Sequence, residues 1–369
     1  MKKKIVISIW ADPSNYINLL FIINLFLKSS FQVLLICQNI EKKKDFNYFV
    51  KNNKNLKIFE INKNGKIGYL NFFLIKFNVI RKFKPQLLIS VNFISLFFSF
   101  FFIKKKIKWI YYNFDFNLSK NFHLNNYLEK KIISFVDLIL VPSRSRLKIY
   151  KKKFLRTQNI YPLYNCFSKN FRIKKSNLNA IDKRLKNKNY LIRLGSFYHH
   201  HYLKEIALST KFWKKNIFLV MAGKSYNGYF EELYKFKIKN KLNKLILLEN
   251  ISYLRWFTLL KHAIAGFALY EPINTSHEMM GGTSQKLNNY IFSGVPSFVS
   301  KNKDFQKFNK KYCTSIEVNN SVKDISKKVN LLLKSKKLTK KLEKKNKEAF
   351  KSEFNFEKQI KSLKNLLIK

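Results

Sequence analysis

Short, almost wholly apolar runs recur along the chain with longer amphipathic stretches between them, and this alternation limits the possible folds more than any other feature. In the first half the runs fall at 5–10, 33–37, 56–60, 87–91, 107–112 and 138–142. Each is about five or six residues, the pattern of strands buried on both faces. The stretches between them, such as 16–28 and 70–83, are long enough for helices. Strands that alternate with helices predict an α/β protein with parallel sheets. A polar, basic stretch at 169–189 reads as a linker, after which the alternation restarts at 190–194, 217–222, 245–248, 265–269 and 297–299. Two α/β domains of similar size follow, as a 369-residue length also suggests at roughly 100–200 residues per domain. The tail from 321 onward has apolar residues at helical spacing and is rich in lysine.

The charge is extreme. There are 73 Lys+Arg against 21 Asp+Glu, a net +52. With 46% hydrophobic and 16% aromatic residues, the chain is not a disordered basic tail. Of the basic residues 65 are Lys and only 8 are Arg, whereas nucleic-acid readers favour the planar fork of Arg. The excess of Lys together with Asn, Ile and Phe reads as chain-wide compositional bias. A basic surface facing an anionic membrane or polymer is the other reading. Cys37, Cys166 and Cys313 lie far apart without a CxxC, so neither a disulfide framework nor a zinc site is expected, and a reducing cytoplasm is. The run 5–10 is too short for a secretory signal and is broken by Asp12-Pro13. The uncharged run 87–103 approaches the roughly 20 residues of a membrane span but reads better as a strand, a break at Asn92 and a helix.

One stretch carries chemistry. Gly281-Gly282-Thr283-Ser284 leads into a helical run with Lys286, then Gly294-Val295-Pro296 and a strand. Thr283 or Ser284 is a suitable N-cap, and glycines let a ligand approach the backbone. Free amides, the helix dipole and Lys286 together make an anion site. The stretch resembles the sugar-nucleotide motif of GT-B glycosyltransferases, most like family 4 and its relatives, with Ser284, Lys286, Leu287, Tyr290, Gly294 and Pro296 at the motif positions. Residues 193–196 resemble the strand end and glycine turn that open that family's C-terminal domain. Residues 220–224 resemble its second strand with a Gly-Lys end, and 247–252 its base-binding strand. Residues 112–115 and 136–143 resemble the end of its acceptor domain.

The resemblance implies a GT-B fold, two Rossmann-like parallel-sheet domains facing a central cleft. It places an acceptor domain at 1–175, a nucleotide-sugar domain at 187–345, and a helix at 346–369 that packs back on the first domain. The implied activity is transfer of a sugar from a nucleotide-diphosphate sugar to an acceptor hydroxyl, retaining and without a metal, in cell-surface polysaccharide or lipopolysaccharide assembly. The partners are then the donor and a glycan or lipid-linked acceptor, with peripheral contact to an anionic membrane and no nucleic acid. No cofactor is expected, and the location is cytoplasmic, on the inner face of the membrane. The implied donor-binding residues are Gly195, Ser196, Gly223, Lys224, Ile251, Gly281, Gly282, Thr283, Ser284, Lys286 and Asn289, with the diphosphate on Lys224, Lys286 and the amides of 282–284. His199, His201 and Glu278 are candidates for acceptor or sugar contact, and Asp115 and His123 for acid/base work. The family's two glutamates, eight residues apart, correspond to Gly281 and Asn289. Two other readings stay open: a GT-B-shaped protein without catalysis, and a polyanion binder. No Asp-x-Asp, P-loop, GxGxxG or GxSxG is present.

Overall fold

The apolar runs form parallel strands in two separate sheets. The computed structural model describes the chain apart from residues 1, 51–52, 63–64, 103–106, 115–123, 155–158, 173–177, 215, 226 and 369. Contacts divide it into a first unit of residues 1–165 with 359–369 and a second unit of residues 166–358.

The first unit holds β1 (Lys4–Ile9), β2 (Gln32–Gln38), β3 (Leu56–Ile61), β4 (Leu87–Val91), β5 (Lys108–Tyr112), β6 (Leu138–Val141) and β7 (Ile160–Pro162). They stand in the order β3-β2-β1-β4-β5-β6-β7. The central strands are apolar because helices cover both faces: every residue of β4 is buried, and so are five of the six in β1. The run at 87–103 divides as the sequence suggests, into β4 and the helix Asn92–Phe100, with Asn92 at φ 61°. No helix among the described residues is long and apolar enough to cross a membrane.

The second unit holds β8 (Tyr190–Leu194), β9 (Phe218–Gly223), β10 (Leu245–Glu249), β11 (Gly266–Ala268), β12 (Ser297–Ser300) and β13 (Ser315–Val318). Their order is β10-β9-β8-β11-β12-β13, with all described pairings parallel. The order reverses direction between β8 and β11, and loops leaving the carboxyl ends of those strands diverge to opposite sides. Open α/β sheets hold ligands at such a switch point. The strands β7 and β13 escape the sequence pattern because they are three- and four-residue edge strands with a partly polar face. The tail is divided between the units. The helix Lys336–Ser352 packs on Gln285–Ser293, while Ile360, Leu363 and Leu367 bury in the first unit or at its boundary. Residues 346–358, expected with the tail, belong to the second unit.

Candidate functional site

The helix Gln285–Ser293 begins and ends as its sequence dictates. Ser284 is the N-cap, and its Oγ accepts from the Leu287 amide at 3.2 Å. Gly294, at φ 70°, closes the other end in the left-handed conformation that glycine adopts without penalty. The amides of Thr283 and Ser284 are bonded back to the Met280 carbonyl at 3.2 and 3.0 Å. The expectation of anion-binding amides at 282–284 is thereby corrected for Thr283 and Ser284; the donors left at this helix start are those of Gly282, Gln285 and Lys286.

At the carboxyl ends of β8 and β9 two backbones nearly touch. A Cβ on Gly223 would lie 1.8 Å from the Gly195 carbonyl oxygen. Gly195 has φ 108°, and a Cβ there would meet Lys286 Cε at 2.9 Å. A side chain at 195 would enter the space in which Lys286 lies, and one at 223 would force the two strand ends apart. The Lys286 ammonium donates to the Tyr270 hydroxyl at 3.2 Å, and that hydroxyl shares a 2.6 Å hydrogen bond with Ser284 Oγ.

Arg193 completes the cluster. It is the penultimate residue of β8 and is buried, and its guanidinium donates to the carbonyls of Gly195 and Ser196, each at 2.6 Å. It also donates to His201 Nδ1 at 2.7 Å. A guanidinium only donates, so Nδ1 is the acceptor and the neutral ring carries its proton on Nε2. Burial holds the His201 imidazole well below its usual range, and the charges of Lys286 and Arg193 push the same way. Burial, then the neighbouring Arg193 charge, lowers Lys286 well below an ordinary lysine. Burial brings Arg193 itself down to about 10. Among the described residues no carboxylate acts on Arg193 or Lys286. Buried cations without a counter-charge are costly, and a bound anion would offset that cost.

The remaining sequence candidates divide. Asn289 is buried and accepts from Gln285 Nε2 at 2.8 Å, and Gly282 accepts from Asn288 Nδ2 at 2.8 Å. Gly281 donates its N–H to Asp304 at 2.7 Å, and a Cβ there would meet the same carboxylate at 2.8 Å. Asp304 therefore holds the space that a side chain at 281 would need. Thr283 and Ile251 are buried, Lys224 bonds the Phe197 amide through its carbonyl, and Glu278 ends the short helix Thr275–Glu278. The three consecutive histidines point apart. His199 is exposed, 3.7 Å from Glu232 and against the Tyr229 ring; His200 is 3.7 Å from Glu271; only His201 turns into the cluster. Asp115 and His123 lie outside the described residues.

The first unit holds Phe114, just past the end of β5, by two hydrogen bonds. Phe114 takes a hydrogen bond from Arg146 at its carbonyl and gives one to Asn92 from its amide, at 2.7 and 2.9 Å. Glu129 is buried, and Tyr111, Asn113 and Tyr150 all donate to its Oε1 at 2.6–2.9 Å. Sequence reasoning passed over Arg193 and Tyr270 as site residues. The available signal was an arginine inside the otherwise apolar strand Tyr190–Leu194, which is costly unless it has a task.

The two-sheet architecture is also found in solved glycosyltransferases. The Anabaena protein HepE, solved with UDP and glucose, is 13% identical, with a TM-score of 0.75 over 99% of each chain. The chain has the GT-B fold. A glycosyltransferase from Rickettsia africae is 12% identical with a TM-score of 0.71, over 99% of this chain and 98% of that one. WaaG, a glycosyltransferase of lipopolysaccharide biosynthesis, is 8% identical with a TM-score of 0.70, over 98% and 99%. No family model and no curated protein matches the sequence. At these identities the shared GT-B architecture is a likeness of fold.

Proposed function

We propose that this GT-B protein transfers a glycosyl group from a nucleotide-diphosphate sugar to an acceptor hydroxyl, in cell-surface polysaccharide or lipopolysaccharide assembly. The observation that carries the reading is the buried Arg193–Lys286–His201 cluster, without a carboxylate partner, at a helix start beside the β8–β11 switch point. It is built for a diphosphate. In the reaction the acceptor oxygen forms a bond to the anomeric carbon and the bond from that carbon to the diphosphate oxygen breaks. The acceptor proton leaves with the nucleoside diphosphate or a base. Negative charge grows on the departing diphosphate, and Lys286, Arg193 and the amides of Gln285 and Lys286 are oriented in advance to stabilise it. Fixed cations of this kind do the work that a metal does elsewhere, so we assign a metal-independent reaction. Retention of anomeric configuration follows from the family resemblance. HepE was solved with UDP-glucose, which makes uridine donors the first to test. Cys37, Cys166 and Cys313 form no disulfide, which suits the reducing cytoplasm in which we place the reaction.

The test is a thermal-shift screen against UDP-, GDP-, ADP-, TDP- and CMP-linked sugars, followed by assay of nucleotide release. At a hundredfold excess over Kd a donor stabilises by about 2.7 kcal/mol. Lys286→Ala is expected to weaken the selected donor about ten- to a hundredfold, the value of a charge-assisted hydrogen bond. Unchanged affinity in that variant would refute the placement of the diphosphate. Donor binding that never yields free nucleotide with any glycan or lipid-linked acceptor would favour the non-catalytic reading, for which the Gly281 and Asn289 positions are the motive.

A further inference from the structure

We propose that the first unit docks on an anionic lipid surface through the outer face of the helix Gly65–Phe83. This helix is apolar on two opposite faces. Its inner face, which includes Phe72 and Val79, is packed on the sheet. At 3.6 residues per turn Ile67, Leu70, Leu74 and Phe77 fall on the other side, and they are 62%, 57%, 45% and 40% exposed. A second apolar face on a helix already packed on one side calls for a further partner. The apolar surface continues through ring contacts. Phe73 meets Phe101 at 6.0 Å, Phe101 meets Phe100 at 6.0 Å, and Phe100 meets Phe135 at 5.3 Å. Phe101 and Phe135 are themselves 57% and 60% exposed. A contiguous patch of this kind marks an interaction surface, unlike scattered single residues.

Charge selects the occupant. Between Glu60 and Asp115 the sequence has ten Lys or Arg and no Asp or Glu. Lys66, Arg81 and Lys82 are exposed on the same helix, and Lys130 and Lys131 stand a few residues before Phe135. A second copy would bring the same positive charge against itself. A nucleic acid would gain nothing from Ile67, Leu70 and Leu74. An anionic bilayer satisfies both components: aliphatic and aromatic side chains enter the interface, and the lysines meet acidic headgroups. The helix then lies in the plane of the interface. The inference is independent of the donor reading, since every residue it uses is in the first unit.

The experiment is flotation of the full chain with phosphatidylcholine vesicles, with and without about one-third phosphatidylglycerol, at low and at about 0.5 M salt. Wild type is expected to float only with the anionic vesicles and to be released by salt. Leu70→Glu with Leu74→Glu is expected to lower partition at least tenfold, with melting temperature and nucleotide binding unchanged. Lys66→Glu with Lys82→Glu is expected to weaken it as well, and decides the matter if the leucine pair does not fold. Lys340→Glu with Lys341→Glu, which makes the same charge change on the helix Lys336–Ser352, is expected to leave partition within about twofold. The proposal is overturned if the leucine variant floats like wild type or if the control loses as much as the patch variants. It is also overturned if wild type is a dimer that the leucine variant dissolves, or if double-stranded RNA, and not vesicles, is what the variant ceases to hold.

Discussion

At the residue scale the site is a problem in burying positive charge. Burial, and then Arg193, disfavours the charged form of Lys286 in the empty protein. A diphosphate reverses that preference, so nucleotide binding takes up protons. Calorimetry in buffers of differing ionisation enthalpy is expected to show uptake at a pH above the lowered Lys286 value, and affinity is expected to rise as pH falls toward it; Lys286→Ala removes most of both effects. His201 gives a second pH signature. Its folded-state value lies well below the unfolded one, mainly through burial. Below about pH 6.5 the unfolded chain therefore binds a proton that the folded chain refuses, and stability falls as pH falls. The slope for one proton is about 1.4 kcal/mol per pH unit. His201→Asn is expected to flatten urea-melt stability between about pH 4 and 6.5 relative to wild type. An equal slope in the variant would show that His201 is not held neutral by its surroundings.

At the element scale the site depends on close approaches that only particular residues permit. Gly223→Ala would drive a methyl group into the Gly195 carbonyl. The ends of β8 and β9 would have to part, at a cost of about 1–3 kcal/mol, and nucleotide affinity is expected to fall with stability in one variant. Gly266 has a comparable role beneath the helix Gln285–Ser293: a Cβ there would lie 2.3 Å from the Tyr290 ring, whose hydroxyl donates to the Phe267 carbonyl. Ser284→Ala removes the N-cap and the hydrogen-bond partner of Tyr270 together. The cap alone contributes about 1 kcal/mol. Denaturant midpoints are expected to drop accordingly, with donor affinity reduced as Tyr270 and Lys286 lose their fixed geometry.

At the scale of the whole molecule the chain closes on itself in sequence. Residues 359–369 belong with residues 1–165, and Lys108 Nζ donates to the Leu366 carbonyl. Ile360, Leu363 and Leu367 are buried, each contributing roughly 1.5–3 kcal/mol of apolar burial as an upper bound. Deletion of 359–369 is expected to lower the melting transition of the first unit by several degrees while the second unit keeps its nucleotide-dependent shift. A single transition moving as one in calorimetry, with the nucleotide response also lost, would count against separable units. The +52 charge divides in the same way. Most of it is solvated lysine with no assigned ligand, while Lys286 and Arg193 are buried at one site.

The sequence alone determined the two sheets, a helix start at Thr283 or Ser284 and the place of Lys286 in the first turn. These follow from local physics: runs of apolar residues must be covered on both faces, a short hydroxyl caps a helix, and a glycine ends it. Tertiary structure decided what those pieces face. Arg193 is two residues before its glycine and reads as a strand residue, yet the chain turn at Gly195 folds two carbonyls and His201 around its guanidinium. Tyr270 and Asp304 come from loops and helices 14 to 23 residues away from the groups they hold. Adjacent histidines diverge because a tight turn sends successive side chains in different directions. Which amides remain free depends on a bond to Met280 that no motif spells out. Pattern reports what each segment can bury; long-range packing decides which polar groups are left in the space between segments, and that residue of unmatched charge is the site.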